Sequence, residues 1–328
     1  MLLEERNKNN LTGDGGSTED RSVPAAITDT GCERELNEDR YAVIESSSGV
    51  AWLVCDGMGG VTGGELAAQL AIDAIRRDLE KYHGRAADVA LKSAIIEANR
   101  VIVLRRQNQA FASMGTTIVG AMFDGAEVAI ASIGDSRAYL VRDGAIQQLT
   151  IDHTYVQQLV DRGEIQPEEA LAHPQAHILT RCVGAEPGID IDVGRYWIWP
   201  VDDTEPSDSL MLCSDGLYSL VSEAEIASTI TRMSPQDACV RLVELAKARG
   251  GFDNITVAII PLAGQVRQSP PPNFKQSPKH EVEEETEPER DSGGFGKHLV
   301  LLTVLSILAV VVTAAAFVGS HYFGFSFK

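Results

Sequence analysis

Four aspartates in this sequence stand at the ends of expected strands or in the turns after them. They are Asp39 in Asn37-Glu38-Asp39, Asp56 in Cys55-Asp56-Gly57-Met58-Gly59-Gly60, Asp215 in Ser214-Asp215-Gly216 and Asp253 in Gly251-Phe252-Asp253-Asn254. An Asp-Gly step taken alone is commonly no more than a turn. Asp56 and Asp215, however, follow the apolar runs 51–55 and 210–214, so each sets a carboxylate at the exit of a buried strand. A charge there is costly unless it is solvated, paired or coordinated to a metal. Hard dications such as Mg2+, Mn2+ or Ca2+ prefer carboxylate oxygen. Most of the 47 Asp and Glu residues are nevertheless ordinary solvated surface.

Short apolar runs bounded by turn residues are expected to form the strands that position these groups: 41–44, 50–55, 116–123, 128–133, 138–141, 210–213 and 255–260. Asp124-Gly125 and Asp143-Gly144 each separate two such runs, the strongest local signal for a type I' hairpin, so the sheets should be largely antiparallel. Helical periodicity marks 64–82, 86–109, 153–162, 222–230 and 235–249. Ser222 with Glu225 has the spacing of a capping box, and Gly250 stops the last helix. Strands mixed with pairs of helices fit an α+β layered fold better than strict βαβ alternation.

Taken in order, the set Arg34-x-x-x-Glu38-Asp39, Asp56-Gly57-Met58-Gly59-Gly60 with Gly64-Glu65, Met114-Gly115-Thr116-Thr117, Gly134-Asp135-Ser136-Arg137, Ser214-Asp215-Gly216 and Asp253-Asn254-Ile255-Thr256 resembles the metal-dependent protein phosphatases (PPM family, 2C-type serine/threonine phosphatases), particularly their bacterial branch. Six ordered motifs over about residues 27–260 are far more specific than one Gly-rich loop. The resemblance implies a four-layer α-β-β-α sandwich of two antiparallel sheets flanked by helices, with a site for two Mn2+ or Mg2+ ions at one edge. It implies that Asp56 bridges both ions, that the Gly57 carbonyl binds one, and that Asp39, Asp215 and Asp253 complete the shells. Glu38 would act through water, Asp135 would join Asp215 in holding a third, weaker ion, and Arg34 would hold the phosphate. Paired dications make hydroxide available near neutral pH for in-line attack on phosphorus. The planar fork of Arg34 suits two phosphate oxygens. The implied substrates are phosphoserine and phosphothreonine proteins, with a bacterial-type Ser/Thr kinase as the opposing enzyme. A catalytically silent phosphoprotein sensor is the alternative, although such relatives typically lose a metal aspartate and here all four are present.

One departure is Val61, which stands where bacterial relatives often carry a histidine thought to protonate the leaving group. His153 is a candidate substitute, although a lone histidine at a helix start is more often a cap. The stretch 161–181 corresponds to the family's variable flap, and loops of this kind often select substrate.

Bulk properties set the remaining bounds. A length of 328 residues and 44% hydrophobic content suffice for a core, while a net charge of -19 argues against nucleic-acid binding. Cys32, Cys55, Cys182, Cys213 and Cys239 form no C-x-x-C pair and read as small apolar residues in a reducing compartment. Residues 1–22 are expected to be disordered, 23–263 to be the catalytic domain and 264–297 a Pro/Glu-rich linker. Residues 298–319 have the length and apolarity of a transmembrane helix, leaving a tail at 320–328. With no N-terminal export signal, the expected arrangement is a single-pass membrane protein with its catalytic domain in the cytoplasm.

Overall fold

Period-two burial and turn chemistry dictate most of the architecture, which a computed structural model describes for residues 21–60, 63–201 and 207–269. Five strands form one sheet in the order β1 (Ala25–Asp29), β12 (Ile255–Pro261), β11 (Ser209–Cys213), β8 (Arg137–Arg142) and β9 (Ala145–Gln148). Six form a second, in the order β13 (Gly264–Arg267), β10 (Asp192–Pro200), β7 (Glu127–Ile133), β6 (Ile118–Asp124), β3 (Gly49–Cys55) and β2 (Arg40–Ser46). A short ribbon pairs β4 (Gly57–Met58) with β5 (Gly115–Thr116). Every pairing is antiparallel, as the turn dipeptides require.

Seven helices complete this part of the chain: α1 (Gly63–Lys81), α2 (Ala87–Arg105), α3 (Tyr155–Asp161), α4 (Pro167–Ala170), α5 (Asp215–Tyr218), α6 (Glu223–Arg232) and α7 (Pro235–Ala248). Strand β7 shows how the layers are made. Its Ala129, Ala131 and Ile133 pack with Ile75, Leu91 and Ile95 of α1 and α2, whereas Val128 and Ile130 pack with Leu140, Leu212 and Ile260 of the other sheet. Met211, Val257 and Ile259 then cover Ile226 and Leu242 of α6 and α7. Helix pair, sheet, sheet and helix pair therefore stack in the expected four layers.

Several details depart from expectation. At Asp143-Gly144 both residues take positive φ, as a type I' turn demands, but at the other hairpin Asp124 pairs with Glu127, and of the loop residues only Gly125 takes positive φ. Strands β1, β9, β10 and β13 and helices α4 and α5 have no strong periodic signal. Strand β10 is only half-buried along its length, and β13 continues the six-stranded sheet past residue 263 through main-chain pairing with β10. The chain divides into units 1–280 and 281–328, and all described residues belong to the first. The span expected at 298–319 lies outside the described residues, among which no helix is long and apolar enough to cross a membrane.

Arg137 at the start of β8 is pinned on both faces. Its Nη2 and Nε donate to Asp152 at 2.6 and 2.9 Å, and its guanidinium lies 3.7 Å from the centroid of the Tyr218 ring. Both side chains of the ion pair are nearly buried, 12% and 10% exposed. Removing one partner of such a pair strands the other charge, so Asp152→Ala is expected to destabilise the fold by about 3–5 kcal/mol in urea denaturation. A loss below about 1 kcal/mol would contradict this reading of the pair.

Candidate active site at the edge of the two sheets

Asp56 leaves the end of β3 with its backbone fixed. Its carbonyl accepts from Thr116 Oγ1 and the Thr117 N–H, both at 2.9 Å, and its N–H donates to Thr117 Oγ1 at 3.0 Å. These contacts give the Met114-Gly115-Thr116-Thr117 motif a role that sequence reasoning left unassigned. Two glycines of the motifs answer to close backbone approach: a Cβ on Gly57 would lie 2.1 Å from the Gly64 carbonyl oxygen, and one on Gly216 would lie 2.1 Å from that of Asn254.

Asp253 and Asn254, just before β12, hold the opposite side. Asn254 donates to the carbonyls of Thr30 (2.9 Å) and Leu36 (3.0 Å) and accepts from the Glu38 N–H (2.7 Å), which ties down the loop carrying Arg34 and Glu38. Arg34 Nη2 donates to Asp253 Oδ2 at 2.9 Å, and its Nε reaches the Phe252 carbonyl at 3.4 Å. Arg34 therefore pairs with Asp253 across the fold. Glu38 Oε1 accepts from the Gly64 N–H at 3.1 Å and so caps the positive end of α1.

Arg34, Glu38, Asp56, Gly57, Asp135, Asp215 and Asp253 line one cleft of about 690 Å3. Asp39 is buried beside these carboxylates, only 1% exposed, and its Oδ2 accepts from Ser214 Oγ at 2.7 Å. Burial pushes the Asp39 carboxyl up to about 7; Ser214 and Thr256 oppose the shift, and Asp215 and Asp253 add to it. Asp56 is enclosed by protein yet keeps part of its surface open to the cleft. Burial, then the charges of Asp39, Asp215, Asp135 and Asp253, raise it well above the ordinary range. Burial and then Asp215 likewise raise Asp135 and Asp253. Glu38 is raised by burial, against the pull of the Gly64 N–H.

Carboxylates gathered in this way need protons or cations. Asp215 Oδ1 is buried with no hydrogen-bond partner among the described residues, and no hydrogen bond among them ends on the Asp56 carboxylate. Hard, unsatisfied oxygens of this kind suit a divalent cation. The aspartates surround the cleft rather than closing on one point: among the described residues no three His, Cys, Asp or Glu side chains form a ready-made ion cage.

His153 is not at the cleft. It is 6% exposed, its Nδ1 accepts from the Gly134 N–H at 3.1 Å, and its Nε2 meets Asp192 Oδ2 at 3.1 Å. The imidazole that does line the cleft is His177 of the flap, whose Nδ1 lies 3.3 Å from Asp215 Oδ2 and whose pKa is raised chiefly by that contact. Sequence reasoning missed it, because only the return of the flap, stitched by Tyr155 N–H to the Ile178 carbonyl and Thr180 N–H to the His153 carbonyl, brings it there. Val61 lies outside the described residues.

The two-sheet sandwich with an acidic cleft at its edge matches the architecture of solved serine/threonine phosphatases, and the chain belongs to the protein phosphatase 2C family, whose profile, described as Protein phosphatase 2C, matches residues 33–245. It is 35% identical over 240 residues to the serine/threonine phosphatase stp of Listeria welshimeri, covering 71% of this chain and 93% of that one. The serine/threonine phosphatase PstP/Ppp of Mycobacterium tuberculosis superposes with a TM-score of 0.65 at 34% identity, over 72% of this chain and 97% of that one. The catalytic domain of PstP in complex with 2 manganese ions superposes with a TM-score of 0.63 at 33% identity, over 72% and 96% of the two chains. The chain is accordingly an enzyme of the serine/threonine phosphatase class.

The raised carboxylates set a direction for stability. Between the ordinary aspartate value of 3.8 and about 7, folded Asp39 holds a proton that the unfolded chain has released. Its contribution is therefore greatest in acid and is lost as pH rises through about 7. In calorimetry of the chelated protein, this cluster should lower Tm over that window. At neutral pH, Mn2+ at about a hundred times its Kd should restore about 2.7 kcal/mol. A Tm indifferent to Mn2+ would show that these oxygens do not hold the cation.

Proposed function

We propose that this chain hydrolyses phosphoserine and phosphothreonine in proteins at a two-cation centre, with Asp56, Gly57, Asp215 and Asp253 facing the cleft and Asp39 closing the set from within. A third cation is assigned to Asp135 with Asp215. The observation that carries this reading is convergence. Aspartates from five separate segments crowd one another around a single cleft, with one arginine at its edge. When bound, Mn2+ or Mg2+ supplies the Lewis acidity that makes water a nucleophile near neutral pH. The manganese in the PstP complex supports that choice of ion.

The chain's own groups bind and orient the substrate. Arg34 uses one N–H on Asp253 and another on the Phe252 carbonyl, which leaves donors of its planar fork for phosphate oxygens. Charge growing on the transferred phosphoryl group is offset there. Held by the Gly64 N–H, Glu38 acts through water. The leaving alkoxide takes its proton from a donor in the cleft, and no phosphoenzyme forms.

The opposing activity is a bacterial-type Ser/Thr kinase, a reading supported by the bacterial sources of the similar phosphatases. The uncharged stretch 298–319 supports single-pass anchoring, and the catalytic domain is assigned to the cytoplasmic side together with the kinase it would oppose. Deleting residues 299–328 should release the protein to the cytosol, and persistence at the membrane would contradict the anchor.

The purified full-length chain should release phosphate from a phosphothreonine peptide with Mn2+ and stop on chelation. Asp56→Ala or Asp215→Ala should bring release to background. Arg34→Ala should cost on the order of 10²-fold in kcat/KM. Phosphate release that ignores both the chelator and the aspartate substitutions would remove the mechanism, whereas tight peptide binding without release would favour a silent sensor.

A further inference from the structure

A second cleft, of about 390 Å3, opens between the flap and helices α5 and α6, and shares Asp135 and His177 with the catalytic cleft. Its size falls within the range of ligand sites, roughly 300–1,000 Å3. Val156 and Val160 of α3, with Leu171 and Ala176 of the flap, supply an apolar wall. Leu171 is 53% exposed, an apolar side chain left open at this cleft.

Its charge is one-sided. Glu168 of α4 and Glu223 of α6 reach the cleft from the flap and from the body, both are exposed, and neither takes part in a hydrogen bond or ion pair among the described residues. The lining's cationic groups are already committed, Arg137 to Asp152 and the Tyr218 ring and His177 to Asp215. An apolar wall beside unpaired carboxylates complements a long aliphatic stem ending in a cation.

We propose that this cleft is a specificity subsite that takes a lysine or arginine side chain flanking the phosphorylated residue of the protein substrate. The proposal rests on the phosphatase reading above and adds the substrate's chemistry to it. The stem lies along Val156, Val160 and Leu171, and the charged head meets Glu168 and Glu223. Contiguity with the catalytic cleft lets one extended segment present phosphate to the first cleft and its neighbour to the second.

The test uses full-length enzyme with Mn2+ and phosphothreonine peptides that differ only in one Arg, Leu or Glu, placed at successive positions on either side of the phosphoresidue. At the position that reaches the cleft, Arg should exceed Glu in kcat/KM by about five- to tenfold, as two exposed ion pairs allow. The difference should lie in KM, since this binding is common to ground and transition states. It should also shrink as salt is raised. In the Glu168→Gln/Glu223→Gln variant the Arg-to-Glu ratio should fall to about one, and in Glu168→Lys/Glu223→Lys it should invert, both by the removal or reversal of exposed charge. Equal rates for Arg and Glu peptides at every position, a preference for Leu over Arg, or a preference that survives the double Gln variant would overturn the subsite. Turnover of p-nitrophenyl phosphate reports on the catalytic centre separately. If neither it nor any peptide is turned over, the phosphatase reading falls, and fluorescence anisotropy of labelled peptides, read for the same Arg-over-Glu preference, then decides the subsite.

Discussion

Like charges must be brought together against their repulsion, and the rest of this structure serves that constraint. Burial is the largest contribution raising the carboxyls of Asp39, Asp56, Asp135 and Asp253, and neighbouring carboxylates add to it in each. Repulsion of this kind would part flexible segments. Here the aspartates leave the ends of strands whose register is fixed on both sides, β3 between β2 and β6, and β11 and β12 side by side in the other sheet. The apolar layer between the sheets, with Val54, Leu212 and Ala258 in one cluster, holds those strand ends together.

A network of neutral donors and backbone contacts then sets the fine position. Ser214 Oγ donates to Asp39 and accepts from the Thr256 N–H at 3.0 Å, so one hydroxyl couples a carboxylate to the neighbouring strand. Thr117 clamps the Asp56 backbone while its own hydroxyl meets Ser136 Oγ at 2.7 Å beside Asp135. Buried polar networks are costly when half satisfied, and Asp215 Oδ1, buried without a hydrogen-bond partner among the described residues, is left open beside them.

Much of this was legible in the sequence because the chemistry sits on punctuation. Asp56 and Asp215 announce themselves as charges ending apolar runs, and the hairpin glycines announce the antiparallel order. Strand β10 hid because its face is only half-buried and carries Gly194 and Pro200, and β13 hid because its pairing is main-chain. Helix α5 hid because Asp215-Gly216 reads as a turn and is in fact the first turn of a helix. Arg34 could be placed by motif, but its partner could not, because Asp253 is 219 residues away in the chain. The same limit exchanged one histidine for another. His153 stood beside a motif and proved to brace the backbone at Gly134, while His177 stood in a segment without periodicity and was carried to the cleft by the return of the flap.

That exchange points to a division within the molecule. The groups assigned to phosphorus sit on strand ends and tight turns packed so closely that a Cβ added at Gly57 or Gly216 would lie 2.1 Å from a backbone carbonyl oxygen. The flap is joined to this body mainly by its two ends and by the contact of His177 with Asp215. Its side chains at Glu168 and Leu171 are exposed and carry no packing load. Substitutions there leave the sheets and the aspartates untouched, so substrate preference can change while the catalytic centre keeps its geometry. A rigid site tolerates this arrangement because phosphate looks the same on every substrate, whereas the residues beside it do not. Discrimination must therefore come from surface next to the carboxylates, and the flap wall is the surface that the fold leaves free to vary.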